Sequence, residues 1–118
     1  MRELFNEILA MEDIQGVLLL SPEGETIFKA FNAPVRKENE LGKCLYEIVR
    51  SLNGIREADL LLEKLRVYIR MSNMSYLIVL MGSLASAAMV RLSCDMILPS
   101  LNDAKAGKGL RQIFKRTR

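Results

Sequence analysis

The feature that most constrains this chain is an uncharged stretch of twenty residues, MSNMSYLIVLMGSLASAAMV, from Met71 to Val90. About twenty apolar residues can cross a bilayer as one helix, so a membrane span is one interpretation. The stretch also holds four serines and an asparagine, and Gly82-Ser83 stands where a strand would end and a helix would begin. We therefore predict two separate elements, a strand before Gly82 and a helix after it.

The residues just before this stretch favour a sheet. From Leu65 to Ser72, apolar and polar side chains alternate with period two, which is typical of a half-exposed strand. The following segment SYLIVLM is apolar on both faces, as expected of a strand inside a sheet. The sequence thus predicts a hairpin here, with its turn at residues 72–75.

Periodicity and turn residues predict the other elements. GVLLLSPEGETIFKAF contains the turn Ser21-Pro22-Glu23-Gly24 and predicts strands at about 16–20 and 25–31. The last helix is expected from Leu84, capped by Ser83, to about Leu98, where Pro99 would end it. The remaining predictions are an amphipathic first helix over about 4–11, a second helix over 39–53 and an edge strand over 57–63. The predicted order is α-β-β-α-β-β-β-α.

Two helices carry predictions about packing. In the last helix the small run 85–88 should lie close to the sheet, while Met89, Leu92, Met96 and Ile97 are expected in the core. In the second helix the stripe Leu41, Leu45, Ile48 and Leu52 is expected to face its own sheet. Gly42 costs roughly 1 kcal/mol relative to Ala inside a helix, which indicates close approach of another segment. An irregular helix start is the alternative explanation.

Charge divides the 118 residues into a domain, 1–103, and a basic tail, 104–118. Residues 1–103 have a net charge of −3, whereas the tail has six basic residues and no acid. The pattern of the tail predicts a basic amphipathic segment that contacts a partner or a membrane surface. No specific nucleic acid partner is expected. A solvated tail without a partner is the alternative. The tail residues with this predicted role are Leu110, Arg111, Ile113, Phe114, Lys115 and Arg116.

The composition argues against catalysis. The chain has no histidine, which excludes Ser-His-Asp and Cys-His nucleophiles and His-based metal sites. Cys44 and Cys94 lack zinc or disulfide spacing and are expected to be reduced and mostly buried. No cofactor, metal or catalytic residue is predicted. The N-terminal residues show neither a secretory nor a transit pattern, so we expect a cytoplasmic protein.

Four collinear stretches resemble the roadblock family of dynein light chains and bacterial and archaeal GTPase partners. They are DIQGVLLLSPEGETIF, the mid-chain helix, LRVYIRMSNMSYLIVLMG and ASAAMVRLSCDMILPSL, which together cover about residues 3–101. The resemblance implies an α/β (α+β sandwich) fold with one five-stranded antiparallel sheet flanked by helices. The charged loop NAPVRKEN and the long basic tail depart from the family pattern.

The resemblance also implies a function without catalysis. It implies a homodimeric adaptor that binds a small Ras-like GTPase, with the mid-chain helix and the next strand meeting their twofold copies. A small-ligand sensory domain and a nucleotide-independent structural light chain are the alternatives. The predicted dimer residues are Gly42, Leu45, Tyr46, Val49 and Asn53 of the helix, and Asp59 and Leu61 of the strand.

Overall fold

A computed structural model describes residues 2–34, 37–62, 64–73 and 75–102 of this chain. They form helices and strands in the order predicted from the sequence. The helices are α1 (Arg2–Leu9), α2 (Glu38–Ser51) and α3 (Ala87–Asn102), and the strands are β1 (Ile14–Leu20), β2 (Thr26–Phe31), β3 (Glu57–Leu62), β4 (Leu65–Met71) and β5 (Tyr76–Met81).

The strands build one antiparallel sheet in the order β2-β1-β5-β4-β3. Three ladders join strands that follow each other in sequence, and the β1–β5 ladder joins the two ends of the domain. The central position of β1 and β5 explains why both are apolar on both faces, since each face is covered by helices. This architecture confirms the predicted fold class, an α+β sandwich with a five-stranded antiparallel sheet.

Each face of the sheet supports its own hydrophobic cluster. One cluster packs α1 and α3 on the sheet, with Phe5 and Ile8 fully buried beside Val90 and Cys94 of α3. The other packs α2 on the opposite face, around Leu45. Alternate residues of β1 and β5 point into the two clusters, as the pleat requires. The central strands therefore bind both helical layers together.

The uncharged stretch is divided as predicted. Its first part becomes β5, and α3 begins at Ala87, beyond Gly82-Ser83. The prediction that Ser83 caps this helix is wrong, because Ser86 Oγ accepts the Met89 N–H at 3.3 Å instead. No helix in the described parts of the chain combines the length and apolar character that crossing a bilayer requires.

The predicted end of the last helix is also wrong. The helix continues past Pro99 to Asn102, with Pro99 inside it. Pro99 lies on the exposed side of the helix, while Leu101 is 1% exposed in the core. A proline inside a helix removes one backbone hydrogen bond. Burial of Leu101 in the last turn offsets that loss and keeps the chain helical.

Candidate interaction surfaces

The outer edge of β3 is the first candidate surface. Within the described sheet β3 pairs with β4 alone, so its other edge has backbone groups that pair with no described strand. Leu60 and Leu62 are partly buried toward α2. Leu61 points to the opposite face and is 77% exposed. An unpaired edge that carries a large exposed apolar residue is suited to pairing with another chain.

A groove borders this edge on the side of α2. Its volume is about 910 Å³, and its lining includes Leu41 and Cys44 of α2 together with the end of β3 and the start of β4. Gly42, the residue after Leu41, is not part of this lining, and a Cβ atom placed on it would meet nothing within 4 Å. The chain's own fold therefore does not require glycine at this position.

The predicted dimer residues of α2 fall into two groups. Leu45 and Val49 are 0% and 3% exposed and pack against the sheet of their own subunit. Gly42 is partly exposed on α2. Asn53 is exposed and lies beyond the helix, which ends at Ser51 rather than at the predicted residue 53. Gly42 does not line the groove at the β3 edge; it lines a separate pocket of about 440 Å³ with Lys29 and Tyr46, on the side of α2 toward β2. Leu45 and Val49 pack α2 onto the sheet. Dimer contact itself stays a prediction.

Tyr46 has a clear role within its own subunit. Its ring lies against Gly24 in the β1–β2 turn, where an added Cβ would come within 2.7 Å of the ring carbons. Its hydroxyl donates to the Pro22 carbonyl at 3.1 Å. Gly24 has a φ of 91°, which favours glycine. Tyr46 therefore joins α2 to the first hairpin.

Asp59, the other predicted strand residue, is paired within the sheet. Its carboxylate accepts two hydrogen bonds from the Arg66 guanidinium, at 2.8 and 2.5 Å. Both side chains are partly exposed on the β3–β4 ladder. This charged pair borders Leu61 on the α3 side of the sheet.

A second groove, of about 530 Å³, lies between β3 and α3 and contains a polar network. Glu57 accepts a hydrogen bond from the Tyr68 hydroxyl, and its Oε2 atom lies 3.1 Å from Arg91 Nε. Arg70 Nη1 donates to Asp95 at 2.6 Å and to the Tyr68 hydroxyl at 3.1 Å. The network ties α3 to two strands, and sequence reasoning missed it because its members are distant in sequence.

Burial and charge shift the titrations in this network. Burial, together with the hydrogen bond to Glu57, raises the pKa of the Tyr68 phenol well above its usual value. Burial also disfavours the charged form of Arg70, but its hydrogen bonds to Asp95 and Tyr68 outweigh that effect and raise its pKa. Tyr68 therefore stays protonated and Arg70 charged at neutral pH, which fits a structural network rather than proton transfer.

The outward face of α3 is the third candidate surface. Met89, Leu92 and Met96 are 52%, 57% and 69% exposed, so the prediction that they fill the core is wrong. The buried stripe is instead Val90, Cys94, Ile97 and Leu101. Both sets of residues have helical spacing, and α3 is oriented so that the set containing Val90 and Cys94 faces the sheet. Only Ile97 of the predicted set is in the core.

The predicted tail residues and the two cysteines complete the set of candidate residues. The tail residues Leu110, Arg111, Ile113, Phe114, Lys115 and Arg116 lie outside the described residues. Within the described ranges, no group of three or more cysteine and carboxylate side chains is arranged to hold a metal ion. Cys94 is buried as expected, whereas Cys44 is exposed.

Several solved structures share this fold. MglB from Myxococcus xanthus superposes with a TM-score of 0.70 at 16% identity, over 86% of this chain and 87% of that chain. The gliding protein MglB of Thermus thermophilus gives a TM-score of 0.74 at 15% identity, over 86% and 85%. A Roadblock/LC7 domain from Streptomyces avermitilis gives 0.70 at 16% identity, over 87% and 95%. The sequence matches no protein-family model and no curated protein. At these identities the comparison establishes the fold.

Proposed function

We propose that this chain, which has the roadblock/LC7 fold, is a non-catalytic homodimeric adaptor that binds a small Ras-like GTPase and modulates its nucleotide cycle or location. The observation that carries the proposal is the β3 edge of this fold, with its exposed Leu61 and the apolar groove beside it. GTPase partnership is what resemblance to the roadblock family implies. A cytoplasmic location is part of the same proposal.

The dimer would form by antiparallel pairing of β3 with its copy. A twofold axis perpendicular to the sheet would join the two five-stranded sheets and leave both α2 helices on the same face. Gly42, with open space beyond its Cα, would let the helices approach closely. Asp59 is already paired with Arg66, so the copies would not bring two uncompensated carboxylates together at the edge.

Substitution of Gly42 tests the dimer. In a monomer Gly42→Gln should fit freely and stabilise α2 by about 0.5–1 kcal/mol, because glycine is a poor helix former. In the proposed dimer the same side chain would enter the space between the helices and weaken association. We expect light scattering after gel filtration to show a dimer for the parent chain and a shift toward monomer for Gly42→Gln.

The control for this variant is Lys43→Gln, at an exposed position on the same helix. It should leave the dimer intact, because it adds no bulk. A parent chain that is monomeric at tens of micromolar would contradict the dimer. A Gly42→Gln variant that is as dimeric as the control would show that α2 lies outside the interface.

Affinity capture tests the GTPase. The tagged full chain is incubated with lysate of its source cells in parallel with a non-hydrolysable GTP analogue and with GDP, and bound proteins are identified by mass spectrometry. We expect a small GTPase enriched with the analogue. The absence of any GTPase in both samples, with a folded and dimeric bait, would refute the proposal. Equal capture with both nucleotides would favour a structural light chain.

A further inference from the structure

The outward face of α3 is apolar, and no described residue covers it. Met89, Leu92 and Met96 lie at i, i+3 and i+7 and so share one side of the helix. The charged residues beside them are engaged elsewhere, since Arg91 pairs with Glu57 and Asp95 pairs with Arg70. We call these three residues the α3 face. Grouped exposed side chains of this size usually mark a contact surface.

The sequence that follows α3 has a matching pattern. Leu110, Ile113 and Phe114 stand at i, i+3 and i+4, so a helical segment here would present one apolar side. The fifteen residues 104–118 contain six basic residues and no acid, opposite a domain with a net charge of −3. The acids near α3 include Glu3 and Glu7, which are exposed on the neighbouring helix α1. Exposed Arg2 and Arg91 lie on the same side of the domain, so the match rests on the apolar pattern and on the net charge of the whole domain.

The connecting chain is long enough for this contact. Residues 103–109 separate the end of α3 from Leu110, and an extended chain of this length spans up to about 25 Å. Met89 lies thirteen residues before Asn102, a helical distance of about 20 Å. Gly107 and Gly109 allow the chain to reverse direction. The whole α3 face is therefore within reach of residues 110–116 of the same chain.

We propose that residues 110–116 fold back and pack on the α3 face of their own chain, with Leu110, Ile113 and Phe114 covering Met89, Leu92 and Met96. The basic side chains would then lie toward the acidic domain surface, where opposite charge favours the contact. This holds whether or not the proposed GTPase function is correct.

Thiol labelling measures this contact directly. Met96→Cys is made in a Cys44→Ser chain, so the new thiol is the exposed one and Cys94 stays buried. The rate at which this thiol reacts with a disulfide reagent is measured in two chains, one with the intact tail and one with the serine tail. In the serine tail, Leu110, Ile113 and Phe114 are changed to serine. We expect the intact tail to slow labelling at least about fivefold, because a covered thiol reacts only when the cover opens.

Leu84→Cys in the same background is the matched control. Leu84 is 70% exposed and lies before α3 begins, so it is not one of the residues that the tail would cover. Its labelling rate should be the same with either tail. Circular dichroism confirms that all chains are folded, so that a change in labelling cannot come from unfolding.

Three outcomes would overturn the proposal. The α3 face would be open if the Met96→Cys thiol reacted at the same rate with the intact and the serine tail, and as fast as the Leu84→Cys thiol. Protection that persists with the serine tail would mean that a second copy covers it. Protection that grows with protein concentration would mean that the tail of another copy covers the face. The same conclusion would follow if the dilute intact chain were unprotected while an added 104–118 peptide protected the chain with the serine tail.

Discussion

At the scale of single residues, Asp13 holds the junction between β1 and α3. Its φ is 58°, a left-handed conformation that aspartate tolerates better than most residues. Its carboxylate accepts hydrogen bonds from the Leu84 N–H at 2.8 Å and from the Gln15 amide at 2.9 Å. Its carbonyl accepts the Gly82 N–H at 2.9 Å. An added Cβ at Gly82 would come within 2.1 Å of this carboxylate, so a larger residue there would displace the carboxylate from its hydrogen bonds.

Replacement of Asp13 should therefore be costly. Asp13→Ala removes both side-chain acceptors and places alanine in a strained conformation, so we expect a loss of about 1–3 kcal/mol in the free energy of unfolding. Asp13→Asn keeps an acceptor and the conformational tolerance and should cost less. Urea unfolding monitored by circular dichroism measures both. An Asp13→Ala chain as stable as the control Glu12→Ala would contradict this account.

The two cysteines should differ sharply in reactivity. Burial raises the pKa of the Cys94 thiol to about 12, so it stays protonated and shielded at pH 8, while Cys44 is exposed. We expect a disulfide reagent at pH 8 to modify one thiol quickly and the second only in urea. The thiol is protonated in both the folded and the unfolded chain below about pH 9, so it makes stability pH-dependent only above that, where stability falls as the pH rises toward 12. Fast reaction of both thiols would contradict the burial.

At the scale of elements, Arg70 and Arg66 allow a direct comparison on one strand. Arg70 is 17% exposed and connects β4 with Asp95 of α3, whereas Arg66 is 40% exposed and pairs with Asp59 of the neighbouring strand. We expect Arg70→Met to lower the free energy of unfolding by about 1–2 kcal/mol, because it leaves polar partners unpaired. Arg66→Met should cost about 0–1 kcal/mol. Equal losses in urea unfolding would show that the network does not anchor α3.

The elements also show what the sequence could predict. Strand alternation and the turn residues around Gly24 determine β1 to β5 to within two or three residues, because these signals are local. The orientation of α3 is different, since Met89 and Val90 both belong to stripes with helical spacing. Only packing decides which stripe faces the sheet. Packing also decided the orientation of α2, since Leu45 and Val49, predicted at a dimer interface, are buried against the chain's own sheet.

At the scale of the whole molecule, the two hydrophobic clusters should unfold together. The central strands β1 and β5 contribute to both, so loss of either helical layer exposes residues that support the other. We expect Leu45→Ala to cost about 2–5 kcal/mol and Phe5→Ala about 3–5 kcal/mol, since both side chains are 0% exposed. Each variant should give one transition that coincides by far-UV circular dichroism and tyrosine fluorescence. Two separate transitions would indicate independent layers.

The β1–β5 ladder has a consequence for how the chain is made. Among the ladders of the described sheet, it alone pairs strands that are far apart in sequence, Ile14–Leu20 with Tyr76–Met81. Closing so long a loop is slow compared with forming either local hairpin. During synthesis the first hairpin emerges well before its central partner exists. A nascent chain would therefore carry an apolar strand with one open edge until β5 leaves the ribosome, which is the interval when a chaperone is most needed.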